Sequence, residues 1–256
     1  MVYMTRSVAD IARMPRGGPD ASCVDRLLQT DRLEYLDRDT DADPTGQARK
    51  RAVIQALEWT GQFFGETERF AHLVLDELAE VADPKILELG AGHGGLSRKL
   101  LEWHPTAELT VTDVDSAAVA AIAAGDLGAH PRVTVRRMDA TDIDAPDRHF
   151  DLAVFALSFH HLTPPQASRA FAEGTRVADT LLIIDLPRPP SPLHLARLAV
   201  MLPFAPLVPF VHDGVISSLR SYSPSALRAL AAHADPAIEV QLRGGLVSPQ
   251  VVVARR

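Results

Sequence analysis

A glycine-rich turn between a short apolar run and a helical pattern is the feature that most constrains how this chain folds. Residues 86–97 read I-L-E-L-G-A-G-H-G-G-L-S. The first letters have the apolar character of a short buried strand, and a helical pattern starts at Leu96. Glycines suit the turn because its backbone must adopt conformations that a Cβ resists, and because bare backbone lets a polar ligand approach closely. The segment therefore predicts a strand, a turn and a helix that form a ligand site of an open α/β sheet.

The glycine pattern alone leaves two kinds of cofactor open. Gly90, Gly92 and Gly95 also satisfy the G-x-G-x-x-G pattern of dinucleotide sites. The next apolar run, residues 109–112, ends at Asp113, whose carboxylate can accept hydrogen bonds from both hydroxyls of a ribose. A nicotinamide dinucleotide and another adenosyl ligand would both use these groups.

Polar residues follow the next two apolar runs as well. Residues 133–138 lead into Asp139 and Ala140, and residues 150–157 lead into the sequence S-F-H-H. Asp115 precedes the helical run S-A-A-V and is predicted to cap that helix, which leaves Asp113 for the ribose.

With these motifs in order, the chain from about residue 70 onward resembles the class I S-adenosylmethionine-dependent methyltransferases, particularly the small-molecule members of quinone and natural-product (secondary) metabolism. The resemblance implies S-adenosyl-L-methionine as cofactor and S-adenosyl-L-homocysteine as product. It implies that the glycine turn cradles the methionine portion, that Asp113 holds the ribose and that Asp139 lies beside the adenine. The cofactor-binding residues that it implies are Glu88, Gly90, Ala91, Gly92, Asp113, Val114, Asp139 and Ala140.

The predicted elements form an α/β, Rossmann-like, doubly wound sheet of seven strands. Strands alternate with helices as far as residues 180–184, which indicates parallel pairing. The last two apolar runs, residues 238–242 and 250–254, are joined by R-G-G-L-V-S-P, which is too short for a crossover helix and predicts an antiparallel hairpin. A reversed strand at the C-terminus is typical of the methyltransferase class and not of nicotinamide-binding domains.

The chain is expected to form one structural domain. Residues 83–256 would make the core, and residues 1–82 an N-terminal arm with helices that pack on the core. Helical patterns cover residues 23–33, 49–64 and 66–81. The arm either folds back on its own core or swaps across a homodimer, and the sequence leaves both arrangements open.

An insertion at residues 187–223 is too long for an ordinary connection and is expected to form a lid. Residues 193–211 are strongly apolar, but Pro203, Pro206 and Pro209 disfavour a helix that spans a membrane. Two interpretations remain. We favour a lid wall around an apolar substrate, and the alternative is a surface that makes peripheral contact with a membrane.

Methyl transfer to a hydroxyl group requires an oriented nucleophile and removal of a proton. Histidine suits the second task because it titrates near neutrality. The candidate bases are His160, His161 and His212, although a histidine pair at this point can instead shape the pocket. The candidate substrate-binding residues are Phe159, Arg220 and Tyr222, although the sequence around Tyr222 can instead cap the helix that follows.

Composition narrows the function classes. The net charge of −7 argues against a general nucleic-acid binder, since affinity for phosphates comes from clustered Lys and Arg. The single cysteine, Cys23, excludes an internal disulfide and metal sites built on several thiolates, and no metal is predicted. The first residues lack the pattern of a secretory signal, so a cytoplasmic protein is expected.

These observations favour a methyltransferase that acts on a small, largely apolar acceptor, most plausibly at oxygen. Two alternatives stay open. One is a protein of the same fold that holds a ligand without transferring a methyl group, and the other is a nicotinamide-dependent oxidoreductase.

Overall fold

Seven strands form a single sheet in the part of the chain that the structure, a computed structural model, describes, namely residues 11–38, 43–245 and 248–256. The spatial order is β3-β2-β1-β4-β5-β7-β6. The strands are β1 (Lys85–Leu89), β2 (Glu108–Asp113), β3 (Val133–Arg137), β4 (Phe150–Ala156), β5 (Ala178–Asp185), β6 (Glu239–Gly244) and β7 (Gln250–Arg255). This is the seven-stranded, Rossmann-like architecture that the sequence predicts.

The first strand, β1, lies between β2 and β4 and pairs in parallel with both. Its residues Ile86 and Leu87 are fully buried. From β1 the chain builds outward first through β2 and β3, and then on the other side through β4 and β5. The order of strands therefore reverses between β1 and β4, which is where open α/β sheets bind ligands.

The C-terminal hairpin inserts its second strand into the sheet. β7 pairs antiparallel with both β5 and β6. The four residues Val251, Val252, Val253 and Ala254 of β7 are buried. The predicted reversed strand is thus confirmed, while residues 246 and 247 of its connecting turn lie outside the described residues.

Helices cover both faces of the sheet. The helices on one face pack on the sheet through apolar residues such as Phe70, Leu100 and Ile122. The helices on the other face pack on it through residues such as Phe171 and Leu227. The helices are α1 (Cys23–Leu27), α2 (Pro44–Phe64), α3 (Glu66–Glu77), α4 (Gly95–Trp103), α5 (Ser116–Ala124), α6 (Pro164–Val177), α7 (Ser191–Met201), α8 (Pro209–Arg220) and α9 (Pro224–Ala234), and Phe159–His161 form a single 3₁₀ turn.

Helix boundaries differ from the predicted ones where local chemistry ends or starts a helix. The prediction of a helix over residues 23–33 is wrong beyond Leu27, since the chain leaves the helix at Leu28. α2 begins earlier than predicted, at Pro44, a residue suited to the first turn of a helix. The predicted cap of α5 is confirmed, because Asp115 accepts a hydrogen bond from the backbone N–H of Ala117.

Two buried arginines fasten the described part of the N-terminal arm to the core. Arg16 donates hydrogen bonds to the carbonyl oxygens of His160, at 3.0 Å, and of Arg220. Arg188 donates to the carbonyl oxygens of Asp25, at 3.0 Å, and of Leu28, at 2.6 Å. The arm from residue 11 to residue 38 therefore lies against the sheet, and residues 1–10 of the predicted arm lie outside the described residues.

The apolar insertion after β5 folds into two helices, α7 and α8. Pro203 and Pro206 lie in the connection between them, and Pro209 is the first residue of α8. Among the described residues, no helix combines the length and the apolar character needed to cross a membrane.

Candidate active site

A large cavity opens at the carboxyl ends of the parallel strands. Its volume is about 1860 Å³, which exceeds the roughly 300–1,000 Å³ of most small-molecule sites. The eight residues that the sequence assigns to the cofactor all line it: Glu88, Gly90, Ala91, Gly92, Asp113, Val114, Asp139 and Ala140. The cavity therefore has room for a cofactor and a second molecule beside it.

The glycine turn after β1 adopts the backbone conformation that its sequence predicts. Gly90 has φ +67° and Gly92 has φ +57°, in the left-handed region that favours glycine. A Cβ on Gly90 would lie 2.7 Å from Oγ of Ser158, at the end of β4, whereas a Cβ on Gly92 would meet nothing within 4 Å. The two glycines thus serve different purposes, close packing between strand ends at Gly90 and open access from the cavity at Gly92.

Asp113 supports the glycine turn from the end of the neighbouring strand. One carboxylate oxygen accepts a hydrogen bond from Gly92 N–H at 2.8 Å, and the other accepts from Asp115 N–H at 2.9 Å. The carboxylate is thereby held at the cavity wall. Asp139 accepts two hydrogen bonds from Thr141 on one oxygen, both at 2.8 Å, and stands at the end of β3.

Glu88 is the buried acid of the glycine motif. It is 3% exposed and accepts a hydrogen bond from the hydroxyl of Ser97. Burial raises the pKa of the Glu88 carboxyl to about 7, against the hydrogen bonds from Ser97, which lower it. The group therefore changes charge near neutral pH at the floor of the predicted methionine subsite.

The 3₁₀ turn after β4 presents two histidines to the cavity. Phe159 anchors the turn, since its ring packs edge-on against Phe155, Phe171 and Tyr222 in the core. Phe159 and Tyr222 are each 1% exposed and do not line the cavity. The structure thus places these two predicted substrate-binding residues beneath the site, with Tyr222 donating a hydrogen bond to the carbonyl oxygen of Leu162.

His160 lies between two carboxylates. Its Nδ1 is 2.7 Å from Asp185 Oδ1, and its Nε2 is 3.6 Å from Glu34 Oε1. Burial by itself would lower the pKa of His160, but the hydrogen bond with Asp185 and the negative charges of Asp185 and Glu34 outweigh it and raise the pKa to about 9. The two carboxylates therefore favour positive charge at His160.

His161 has a similar carboxylate partner and is more accessible. Its Nδ1 is 2.7 Å from Asp37 Oδ1, its Nε2 is 3.9 Å from Glu34 Oε2, and its side chain is 25% exposed. Arg220 pairs with the second oxygen of Asp37 at 2.5 Å. Burial would raise the pKa of Asp37, but His161 and Arg220 hold it well below its usual range.

His212 lies away from the other two histidines. Its Nδ1 is 2.9 Å from Asp213 Oδ1, and its ring packs at 4.4 Å from the ring of Tyr35. It is not among the residues that line the cavity. The structure brings His160, His161 and Arg220 together at the cavity wall and leaves His212 outside this group.

Sequence reasoning missed three acids of this cluster: Glu34, Asp37 and Asp185. Asp185 carried a signal, because it ends the fifth strand as Asp113 ends the second. Glu34 and Asp37 carried none, since they belong to an arm without a recognisable motif. Only the folding of the arm over the strand ends places them beside His160 and His161.

The remaining wall of the cavity is largely apolar. It is formed by α2 and by the predicted lid segment, which packs on α2 through α8. The apolar side chains on this wall are Val53, Ile54, Leu57, Val200, Met201, Phe204, Phe210 and Val211. An acceptor bound here would contact hydrocarbon on one side and the histidine cluster on the other.

Sequence comparisons match the central part of the chain. Residues 86–180 match the family described as a methyltransferase domain. The matched segment is a methyltransferase domain. Of the two cofactors that the glycine pattern left open, the match to a methyltransferase domain supports S-adenosylmethionine.

Two curated relatives are similar to part of this chain. A malonyl-[acyl-carrier protein] O-methyltransferase of Geobacter sulfurreducens is 36% identical over 110 residues, which cover 43% of this chain and 39% of the relative. An uncharacterized methyltransferase of Anoxybacillus flavithermus is 28% identical over 125 residues, which cover 46% of this chain and 56% of the relative. The alignments thus span well under two thirds of either relative.

Solved methyltransferases share the fold over most of the chain. An O-methyltransferase family protein of Burkholderia thailandensis superposes with a TM-score of 0.62 and 17% identity, covering 90% of this chain and 66% of that one. Human N-acetylserotonin methyltransferase, solved with S-adenosylmethionine, superposes with a TM-score of 0.58 and 17% identity. The superposition covers 88% of this chain and 63% of the human protein.

The two glycines of the glycine turn, Gly90 and Gly92, allow a matched test. We expect Gly92→Ala to lose only about 1–2 kcal/mol of unfolding free energy, the cost of a left-handed alanine. Its methyl group enters the cavity, so affinity for S-adenosylhomocysteine should fall at least about tenfold. Gly90→Ala adds a clash with Ser158 and should lose about 1–3 kcal/mol more. Urea unfolding and calorimetric titration measure both effects, and normal cofactor affinity in Gly92→Ala would contradict the arrangement.

Because burial raises the pKa of Glu88, we expect the difference in unfolding free energy between the wild type and Glu88→Gln to depend on pH. The folded state holds the proton more tightly than the unfolded chain, so this contribution is present below about pH 4.5 and is lost as the pH rises through about 7. Between pH 4 and pH 8 the variant should gain about 3 kcal/mol relative to the wild type. Urea unfolding of both proteins without cofactor measures this gain. A difference that does not change with pH would show that folding does not raise the pKa of this carboxyl.

Proposed function

We propose that this chain transfers the methyl group of S-adenosylmethionine to an oxygen atom of a small, largely apolar acceptor. The observation that carries the proposal is the continuous cavity that runs from the glycine turn, past His160 and His161, to the apolar wall of α2, α7 and α8. The residues assigned to the cofactor and the residues assigned to the acceptor line the same cavity. The names of the Geobacter relative and the Burkholderia structure, both O-methyltransferases, support oxygen as the methylated atom.

The cofactor end of the cavity is assigned by the strand ends. Gly90 and Gly92 hold the methionine portion, Asp113 accepts from the ribose hydroxyls, and Asp139 accepts from the adenine amine. Asp113 suits this role because backbone N–H groups of Gly92 and Asp115 already fix its orientation. A carboxylate held in place before binding loses little conformational entropy when the ribose arrives.

The acceptor end supplies positioning and exclusion of water. The sulfonium methyl group is already activated, so the protein must hold the acceptor oxygen in line with it and keep the surroundings dry. The segment 187–223 lies over the cavity and is suited to close over a bound acceptor. Its apolar side chains favour an acceptor with hydrocarbon or aromatic surface.

Activation of the acceptor hydroxyl is assigned to the pair His160 and His161. A neutral alcohol or phenol is a poorer nucleophile than its anion, and these two side chains are the histidines at the cavity wall between cofactor end and apolar wall. Asp185 and Asp37 orient the two rings. His212, which the sequence also offers as a base, contacts Asp213 and Tyr35 instead.

Calorimetry tests the cofactor assignment. The wild type should bind S-adenosylmethionine and S-adenosylhomocysteine and should show no heat with NAD. Asp113→Asn replaces one acceptor oxygen by a donor and should weaken binding by about 1–3 kcal/mol. Asp115→Asn is the matched control, because asparagine also caps a helix and should leave binding nearly unchanged. Equal affinity in the two variants would remove Asp113 from the site.

Turnover tests the role of the histidine pair. Phenols, quinols and acyl carboxylates serve as candidate acceptors, with formation of S-adenosylhomocysteine as the readout. His161→Ala and His160→Gln should lower turnover by about 10²–10⁴-fold while affinity for S-adenosylhomocysteine stays nearly constant. His212→Ala should remain close to wild type. If all three variants match the wild type, catalysis depends on positioning alone; cofactor binding without turnover on any acceptor would favour a binder without methyl transfer.

A further inference from the structure

Three side chains from distant parts of the chain converge on one point at the cavity wall. Glu34 comes from the N-terminal arm, and His160 and His161 come from the turn after β4. One ligand atom from each, a carboxylate oxygen or a ring nitrogen, lies within 4.8 Å of the others. Two imidazoles and a carboxylate are a donor set that first-row transition metals bind, as in the His₂Glu sites of zinc proteases and the facial triads of non-haem iron enzymes.

The second nitrogen of each ring faces a carboxylate. Asp185 Oδ1 is 2.7 Å from Nδ1 of His160, and Asp37 Oδ1 is 2.7 Å from Nδ1 of His161. Both Nε2 atoms face Glu34, at 3.6 and 3.9 Å. The contact of His160 is a hydrogen bond, and metal-binding histidines almost always have this arrangement, because a carboxylate on the outer nitrogen fixes the ring and makes the inner nitrogen a better ligand. In His161 the outer nitrogen lies close to Asp37 without hydrogen-bond geometry.

The inner nitrogen of His160 is a buried polar atom without a hydrogen-bond partner among the described residues. The residue is 3% exposed, and the 3.6 Å from its Nε2 to Glu34 is too long for a hydrogen bond. Buried polar groups are rarely left without a partner. An ion between Nε2 and the carboxylate of Glu34 would satisfy this atom.

The local charge also suits a cation. Glu34, Asp37 and Asp185 bring three carboxylates to the cluster, and Arg220 pairs with Asp37. Arg16, the other guanidinium nearby, pairs with Asp31. When both imidazoles are neutral, the carboxylates of Glu34 and Asp185 carry two negative charges. Neither carboxylate pairs with an arginine or a lysine among the described residues. A divalent ion balances them.

We propose that Glu34, His160 and His161 bind one divalent first-row transition metal ion through a carboxylate oxygen and the two Nε2 atoms. The remaining coordination positions face the cavity, where the oxygen of the acceptor binds. A bound metal ion lowers the pKa of an oxygen ligand, so the cluster activates the hydroxyl through the ion and not as a free base. The inference rests on the proposed function only for the nature of that acceptor oxygen; the metal site itself does not depend on it.

Cobalt(II) reports on the site directly, because its visible absorption is intense when four or five ligands surround it. The full chain is treated with a chelator, dialysed and titrated with Co²⁺. We expect one equivalent to bind per chain with a visible band, and Zn²⁺ to displace it. His161→Ala and Glu34→Gln should weaken Co²⁺ binding at least about 100-fold, and Asp185→Asn about 10–100-fold as a group that orients a ligand.

His212→Ala is the matched control, since it removes a histidine paired with a carboxylate outside the cluster, and it should bind Co²⁺ like the wild type. Titration with S-adenosylhomocysteine on the same samples checks that each variant is folded. If Glu34→Gln does not fold, the partly exposed His161 still provides the test.

The metal site would be overturned if the wild type showed no Co²⁺ band, or if His161→Ala kept the band. Either result would favour a cluster in which a proton on His160, and not a metal ion, balances the carboxylates. Failure of the wild type to bind S-adenosylhomocysteine while it binds Co²⁺ would overturn the proposed function and leave the metal site standing. The two proposals therefore fail separately.

Discussion

The parallel pairing of β1 with both β2 and β4 is the constraint on which the rest of this structure depends. It places three strand ends at one edge of the sheet, with no helix between them. The turn after β1 then approaches the end of β4 so closely that a side chain at Gly90 would collide with Ser158. The ligand cavity opens where the strand order reverses, because the two helices that follow β1 and β4 leave the sheet on opposite sides.

The N-terminal arm completes a cavity that the sheet alone leaves open. Arg16 and Arg188 fasten the arm by donating to backbone carbonyls of the turn after β4, of α8 and of the arm itself. Buried carbonyls need partners, and a guanidinium with five N–H groups satisfies several of them at once. The same contacts bring Glu34 and Asp37 over the strand ends, so attachment of the arm and assembly of the acceptor end are one structural event.

Burial and neighbouring charges shift the pKa values of the acids around the cavity in different directions. Glu88 is surrounded by apolar strands, and burial dominates its pKa. Glu34 is almost equally inaccessible, yet His160 and His161 lower its pKa against the effect of burial. Positive charge in the histidine cluster, whether a proton or a metal ion, is thus favoured beside the place where an acceptor oxygen would become negative.

The sequence by itself determined the strands, the glycine turn, the acids at the ends of β2 and β3 and the reversed β7, because each depends on short-range patterns of apolar, glycine and acidic residues. It also placed the two histidines after β4. Only the tertiary structure decided what surrounds them. Arg16 contacts the carbonyl of His160 across 144 positions of sequence, and Glu34 reaches the same turn from an arm without periodicity. Such contacts form because distant groups satisfy each other's charge and hydrogen bonds after folding, and no local pattern records them.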